Sequence, residues 1–242
     1  MNIIRKFKGN SDSSVFLVEE SGKTFVYKTM VKNAEQCAAM SIELPFPTPE
    51  IIEVTEQSIL MEYIPGVDMK HYLMYASNAD LQRLVFFLSD YIEYSLNSSN
   101  NYNFQKEIEE KTNQLKRYID LGNSMPTIFP KGPIHGDLTL ENILFYNNKF
   151  YFIDVHYTPL NSVHFDANKL RQDLNGLWFL REEEQTMNYV SSCELIYKSL
   201  NETFKELFDD RVYAFMLARI LPYCKRDLEK NLVLSEIKKC KL

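Results

Sequence analysis

The segment Pro133-Ile134-His135-Gly136-Asp137-Leu138-Thr139-Leu140-Glu141-Asn142 contains His-x-Asp-x-x-x-x-Asn, and Phe152-Ile153-Asp154 places a second aspartate twelve residues after the asparagine. Phosphoryl transfer uses these residue types in this order. Asp137 is placed to accept the proton of an acceptor hydroxyl. Asn142 and Asp154 offer hard oxygens, which suit Mg2+. Singly, each passes for an ordinary turn or strand-end residue. Together they point to transfer of a γ-phosphoryl group from a nucleotide to a hydroxyl. His135 reads as a structural histidine beneath the loop, and Gly136 as the residue that permits a tight backbone path.

Other candidates lie upstream. Lys28, in Thr24-Phe25-Val26-Tyr27-Lys28, shares a strand face with Val26, so its ammonium is directed at a cleft where phosphates would sit. Glu35 on the next helix is its natural ion-pair partner, and Glu43 is the competing choice. Gly9-Asn10-Ser11-Asp12-Ser13-Ser14 is a Ser-rich turn. Its amides and the hydroxyls of Ser11 and Ser13 suit phosphate oxygens, although it carries a single glycine and no Walker A pattern. In Met61-Glu62-Tyr63-Ile64, the backbone of Glu62 and Ile64 is positioned to read an adenine edge, with Met61 lining the entrance. Packing of a buried strand explains the same four residues.

These residues need elements to hold them. Apolar alternation predicts strands over 15–20 and 24–30 around a Ser21-Gly22-Lys23 turn. A second hairpin is predicted from 51–54 and 58–63. A helix over 34–42 lies between them, with Asn33 as its N-cap. Pro45, Pro47 and Pro49 force an extended return to the sheet. Ile64-Pro65-Gly66 is a break, so an N-lobe of residues 1–64 and a C-lobe of 65–242 are expected. Beyond it, helical periodicity dominates. Residues 97–103 read as a loop. The motif itself reads as loop, strand, Asn147-Asn148 turn and strand. Helices resume over about 166–181, 185–199 and 204–221, then a short tail helix. The run Glu182-Glu183-Glu184 reads as a solvated helix end.

Composition narrows the class. With 242 residues, 45% hydrophobic and 25% charged, the chain can bury a core and is not disordered. A net charge of −6 argues against nucleic acid as a partner. Cys37, Cys193, Cys224 and Cys240 show no metal-binding spacing and read as reduced thiols. No apolar stretch reaches bilayer-spanning length. That predicts no membrane insertion and, by default, a cytoplasmic location. The oligomeric state is left open.

The motifs resemble those of the aminoglycoside phosphotransferase and choline kinase family, small-molecule relatives of protein kinases. The resemblance runs to about residue 180. It rests on His135-Gly136-Asp137 with Asn142, Phe152-Ile153-Asp154, Tyr27-Lys28, Glu35 ahead of Thr48-Pro49-Glu50-Ile51-Ile52, and Met61-Glu62-Tyr63-Ile64-Pro65-Gly66. It implies an α+β, two-lobed, protein-kinase-like fold: a small antiparallel sheet plus one helix in the N-lobe, and a mainly helical C-lobe. It also implies ATP or GTP as donor with Mg2+, Asp137 as base, Asn142 and Asp154 as metal ligands, and Lys28 with Glu35 orienting phosphate. Asp166 looks like the family's further aspartate, which braces the catalytic loop. Gly136 replaces the arginine of His-Arg-Asp, Thr139 stands where many protein kinases have lysine, and no Ala-Pro-Glu follows. These departures favour a small-molecule acceptor. Similarity to phosphotransferase-like proteins of surface-glycan gene clusters adds a sugar or glycan precursor to the candidates. The competing reading is a non-catalytic kinase-like module that binds nucleotide or protein. Such modules usually lose the base or a metal ligand, and this chain keeps both.

Overall fold

A computed structural model describes residues 1–7, 13–121, 125–182 and 186–241. The N-lobe is an antiparallel sheet of β1 (Asn2–Phe7), β2 (Ser14–Glu20), β3 (Lys23–Thr29), β4 (Ile51–Val54) and β5 (Ser58–Glu62), in the order β1-β2-β3-β5-β4. The two expected hairpins are both present. β1 lacks the pattern of a half-buried strand because almost all of its residues are exposed; pairing with β2 alone holds it. α1 (Ala34–Glu43) packs on β4 and β5. Its buried residues Ala34, Cys37 and Ala38 meet Val31 and Ile59. Asn33 does precede it, but in left-handed conformation (φ 55°) and with no side-chain capping bond.

The proline segment then ties the lobes together. Phe152 N donates to Pro47 O at 2.9 Å. Phe46 sets its ring edge-on to Phe87, Tyr91, Tyr94 and Phe152, at centroid distances of 5.7–6.0 Å. Such contacts add to the area the ring buries.

Beyond the break come β6 (Val67–Asp68), α2 (Met69–Tyr75) and α3 (Asn78–Asn97). A reciprocal Ser77/Asp80 capping box starts α3. Next are β7 (Asn100–Asn103), α4 (Gln105–Leu115) and β8 (Ile128–Lys131). β7 pairs with β8, so half of the expected Ser/Asn loop is strand. Its residues are polar and exposed, which hides the pattern. β9 (Ile143–Tyr146) and β10 (Lys149–Phe152) form the expected hairpin, with Asn147 and Asn148 both at positive φ (46° and 65°). β6 adds a third strand beside β9.

α5 (Val163–Leu174), α6 (Met187–Thr203), α7 (Asp210–Ala218) and α8 (Asp227–Lys239) complete the C-lobe. Two predicted helices were too long. α5 starts at the Ser162 cap and ends before Leu177, which has φ 50°. The 204–221 stretch is split because Asp209 caps a fresh helix, accepting from Arg211 N at 2.8 Å and Val212 N at 3.4 Å. One core joins α3, α5 and α6 to the β9–β10 hairpin through Leu88, Tyr91, Phe152, Leu170 and Ile196. A second joins α4, α7 and α8 through Ile108, Leu115, Leu217 and Ile237. No helix among the described residues is long and apolar enough to cross a membrane. Phe46→Ala should cost about 3 kcal/mol, read from urea midpoints. A loss below about 1 kcal/mol would show that the ring cluster does not bind the lobes.

Candidate active site

The motif loop is held from below by one buried carboxylate. Asp166 on α5 is 2% exposed. It accepts from His135 N at 2.9 Å, Gly136 N at 3.1 Å and the Tyr91 hydroxyl at 2.5 Å. Burial pushes this carboxyl up, while His135, Tyr91 and the two amides oppose that shift. His135 is fully buried. Its Nε2 lies 2.9 Å from Ile153 O, and its Nδ1 accepts from Asp137 N at 3.3 Å. The proton is therefore on Nε2, and the ring is a spacer between the loop and the strand leading to Asp154. Gly136 has φ +83°, and an added Cβ would lie 1.8 Å from His156 O. No side chain fits there.

This support leaves the Asp137 side chain partly exposed. Its Oδ1 takes the Lys169 ammonium at 2.9 Å. Its Oδ2 and its carbonyl both accept from Asn142 Nδ2, at 3.2 and 2.8 Å. Burial disfavours the carboxylate, but Lys169, with His135 and His156, outweighs it and holds the group at about 2. Asp137 is ionised at neutral pH. Because the Asn142 amide nitrogen faces Asp137, its Oδ1 is left for another partner. Ile153 N donates to Asn142 O at 3.0 Å, which ties the loop to the residue before Asp154.

Asp154 adopts φ +59°, an uncommon conformation for a residue with a side chain. It turns the carboxylate out of the β10 line and onto the Lys28 ammonium, across the lobes. Lys28 and Asp154 line a small cleft with Val31, Cys37, Ile59 and Met61. The expected Lys28–Glu35 pair is not formed, nor is a Lys28–Glu43 pair. The helical register explains this: α1 turns Ala34, Cys37, Ala38 and Ser41 inward and leaves both glutamates exposed. Cys37 stands where a charge was expected. Its sulfur accepts from Tyr157 N at 3.3 Å, and burial pushes its thiol up.

At the hinge, Glu62 N donates to Glu50 O at 2.8 Å, so that amide is already bonded. Ile64 is buried at the crossing into the C-lobe. Ser13 directly precedes β2; Ser11, like Gly9 and most of the Ser-rich turn, lies outside the described residues.

Three residues near the loop escaped the sequence analysis. Lys169 supplies the ammonium on Asp137. Asp173 is fully buried and accepts from Leu140 N at 2.7 Å. Tyr91 joins Asp166 beneath His135, donating to that carboxylate and accepting from His135 N at 2.7 Å. The signal for the first two was present: Asp166, Lys169 and Asp173 stand at i, i+3 and i+7, one face of a helix. Nothing local marks Tyr91, which lies 44 residues before His135.

No family model matches the chain, and no curated protein matches it in sequence. Solved structures do. A thermostable mutant of aminoglycoside phosphotransferase APH(4)-Ia superposes with a TM-score of 0.60 at 11% identity, covering 97% of this chain and 94% of that one. ADP-bound aminoglycoside phosphotransferase APH(2'')-Ib gives 0.55 at 13%, covering 98% and 92%. A protein described as a fructosamine-3-kinase from Thermobifida fusca YX-ER1 gives 0.54 at 11%, covering 97% and 93%. This chain shares their fold. That two-lobed, kinase-like fold agrees with the architecture implied by the motifs. In this fold Lys28 and Asp154 meet between the lobes, and Asn142 joins the Asp137 loop to the residue before Asp154.

Replacing Lys169 by Gln should leave burial dominant at Asp137 and move its titration upward from about 2. Carboxyl NMR would follow it, and an unchanged titration would separate the two residues. Asp173 supplies a second pH test. Burial, reinforced by Glu141, raises its carboxyl to about 7, against Leu140 N, Lys169 and Arg181. Unfolded, the group ionises near pH 4. Between about pH 4 and 7 the folded protein therefore holds the extra proton, so stability falls as pH rises. Asp173→Asn should flatten the urea midpoint across that window, whereas an unaltered slope would assign the pH dependence elsewhere.

Proposed function

We propose that this protein is a small-molecule phosphotransferase that moves the γ-phosphoryl group of ATP or GTP to a hydroxyl, such as that of a sugar or surface-glycan precursor. The observation that carries this reading is the ionised Asp137 carboxylate, held by Lys169 and by Asn142, which also ties the loop to the residue before Asp154, itself paired with Lys28.

Each residue then has a definite task. Asp137 orients the acceptor hydroxyl and accepts its proton as the bond to phosphorus forms. A base of such low basicity acts late, once the hydroxyl has already lost most of its electron density to phosphorus. The nucleotide lies in the cleft lined by Val31, Ile59 and Met61, with its phosphates toward Lys28. With the Glu62 amide bonded to Glu50, the adenine edge falls to the Ile64 amide and neighbouring carbonyls.

Mg2+ fits the donors that remain. Asn142 Oδ1 and the Asp154 carboxylate are an amide and a carboxylate oxygen, the hard set Mg2+ takes alongside water and phosphate. When bound, the ion would neutralise charge on the transferring phosphates. Lys28 then exchanges its bond to Asp154 for phosphate oxygens. Little covalent chemistry is left to the protein, so alignment and charge are its contribution.

Asp137→Asn should fold and bind Mg-ATP but transfer nothing. Asp154→Ala should lose the Mg2+-dependent part of nucleotide stabilisation. In the wild type, that stabilisation is about 2.7 kcal/mol at 100 times Kd. Retained transfer in Asp137→Asn would remove this residue as base. A thermal midpoint indifferent to Mg-ATP and Mg-GTP would return the chain to the non-catalytic reading.

A further inference from the structure

The catalytic loop carries no cation of its own. Between Asp137 and Asn142 stand Leu138, Thr139, Leu140 and Glu141, and the first three are buried. Glu141 is anionic and bonded to Arg181 at 3.2 Å. A phosphoryl group in transfer spreads negative charge over three oxygens, and the Asp137 carboxylate adds another charge beside it. A loop that offered only carboxylates there would oppose the reaction.

Lys169 supplies the missing charge from α5. Its Nζ lies 2.9 Å from Asp137 Oδ1. The same helix face holds the loop on either side of that contact. Asp166, three residues earlier, accepts from His135 N and Gly136 N at 2.9 and 3.1 Å, and Asp173, four residues later, accepts from Leu140 N at 2.7 Å. The helix cannot shift without dragging the loop, so Lys169 keeps its place relative to Asp137. Nor is the ammonium used up by this contact. It has three N–H donors, and among the described residues only Asp137 takes one of them. The Lys169 side chain is 24% exposed and that of Asp137 39%, so a ligand can reach both. An acceptor hydroxyl bonded to Oδ1 would share that oxygen with Lys169, and two groups on one oxygen lie about 4–5 Å apart. Phosphorus at reacting distance, about 3 Å from the hydroxyl, then puts one of its oxygens within reach of the free N–H groups.

We propose that Lys169 is a catalytic residue: one N–H stays on Asp137 while another bonds an oxygen of the γ-phosphoryl group as it crosses to the acceptor. The acceptor oxygen forms its bond to phosphorus. The bond from phosphorus to the β–γ bridging oxygen breaks, and that oxygen leaves with the electron pair on the nucleoside diphosphate. The hydroxyl proton passes to Asp137, and Lys169 keeps all three of its own. A contact that strengthens as charge gathers on the moving group favours the transition state over the bound substrates. The inference rests on the phosphotransferase reading and adds a residue to its transfer step. The simpler alternative is a lysine that only pairs with Asp137 and acts wholly through that carboxylate.

A double-mutant cycle on the full chain separates the two and needs no identified acceptor. Calorimetry follows Mg-ADP binding with and without aluminium fluoride, which takes the place of the phosphoryl group in transfer while water fills the acceptor position. Aluminium fluoride should tighten Mg-ADP on the wild type by about tenfold or more. Lys169→Gln should leave the affinity for Mg-ADP alone within about twofold and weaken the fluoride complex by about tenfold to a hundredfold. Lys169→Arg should restore part of that loss. Asp137→Asn removes the carboxylate through which a merely pairing lysine would act. In that background, Lys169→Gln should still weaken the fluoride complex by about tenfold. No further weakening there would overturn the proposal and leave Lys169 a partner of Asp137 alone. A wild-type affinity indifferent to aluminium fluoride would overturn it as well. So would loss of Mg-ADP binding in Lys169→Gln, by assigning the ammonium to the nucleotide. Thermal midpoints check folding, and Lys169→Met carries the test if Lys169→Gln does not fold. Failure of the wild type to bind Mg-ADP at all would instead defeat the underlying phosphotransferase reading.

Discussion

A carboxylate buried without donors is untenable, and Asp166 meets that demand with the backbone of the catalytic loop. The loop can present two successive amides only by turning sharply at Gly136, against the His156 carbonyl. That turn leaves Asp137 partly exposed and His135 buried beneath it. α5 repeats the device a turn above and two turns above, where Lys169 meets the Asp137 side chain and Asp173 meets the Leu140 amide. One helix face thus fixes the loop's backbone and the charge of its principal side chain. Preorganisation of this kind lets a site act by alignment alone.

The charges around the cleft form a consistent set. The negative ones that face it are each met by a cation from a distant element: Asp137 by Lys169, and Asp154 by Lys28.

The loop and hairpin that carry the candidate residues were legible because their signal is local. Asp137 and Asn142 share one loop, and the alternation of Phe150 and Phe152 announces the strand that carries the chain to Asp154. The N-lobe hairpins were legible for the same reason, since their turns and periodicity lie within a few residues. Elements whose only support is a neighbour were not legible: β1 is exposed and β7 is polar, so neither shows a buried face. Helix ends were misplaced where a cap, Asp209, restarts a helix inside an apolar stretch. The Glu35 reading failed on register. The sequence shows an acidic residue on a helix near Lys28, but only packing decides which face of α1 looks inward, and small residues win there.

That outcome at α1 bears on control. In protein kinases, activity follows the position of the helix whose glutamate grips the phosphate-binding lysine. Here the matching contact is a thiol sulfur taking the Tyr157 amide, and the lysine is held by the opposite lobe. Displacing α1 therefore breaks no charge pair with Lys28. A regulator that worked by swinging this helix would have little leverage on Lys28.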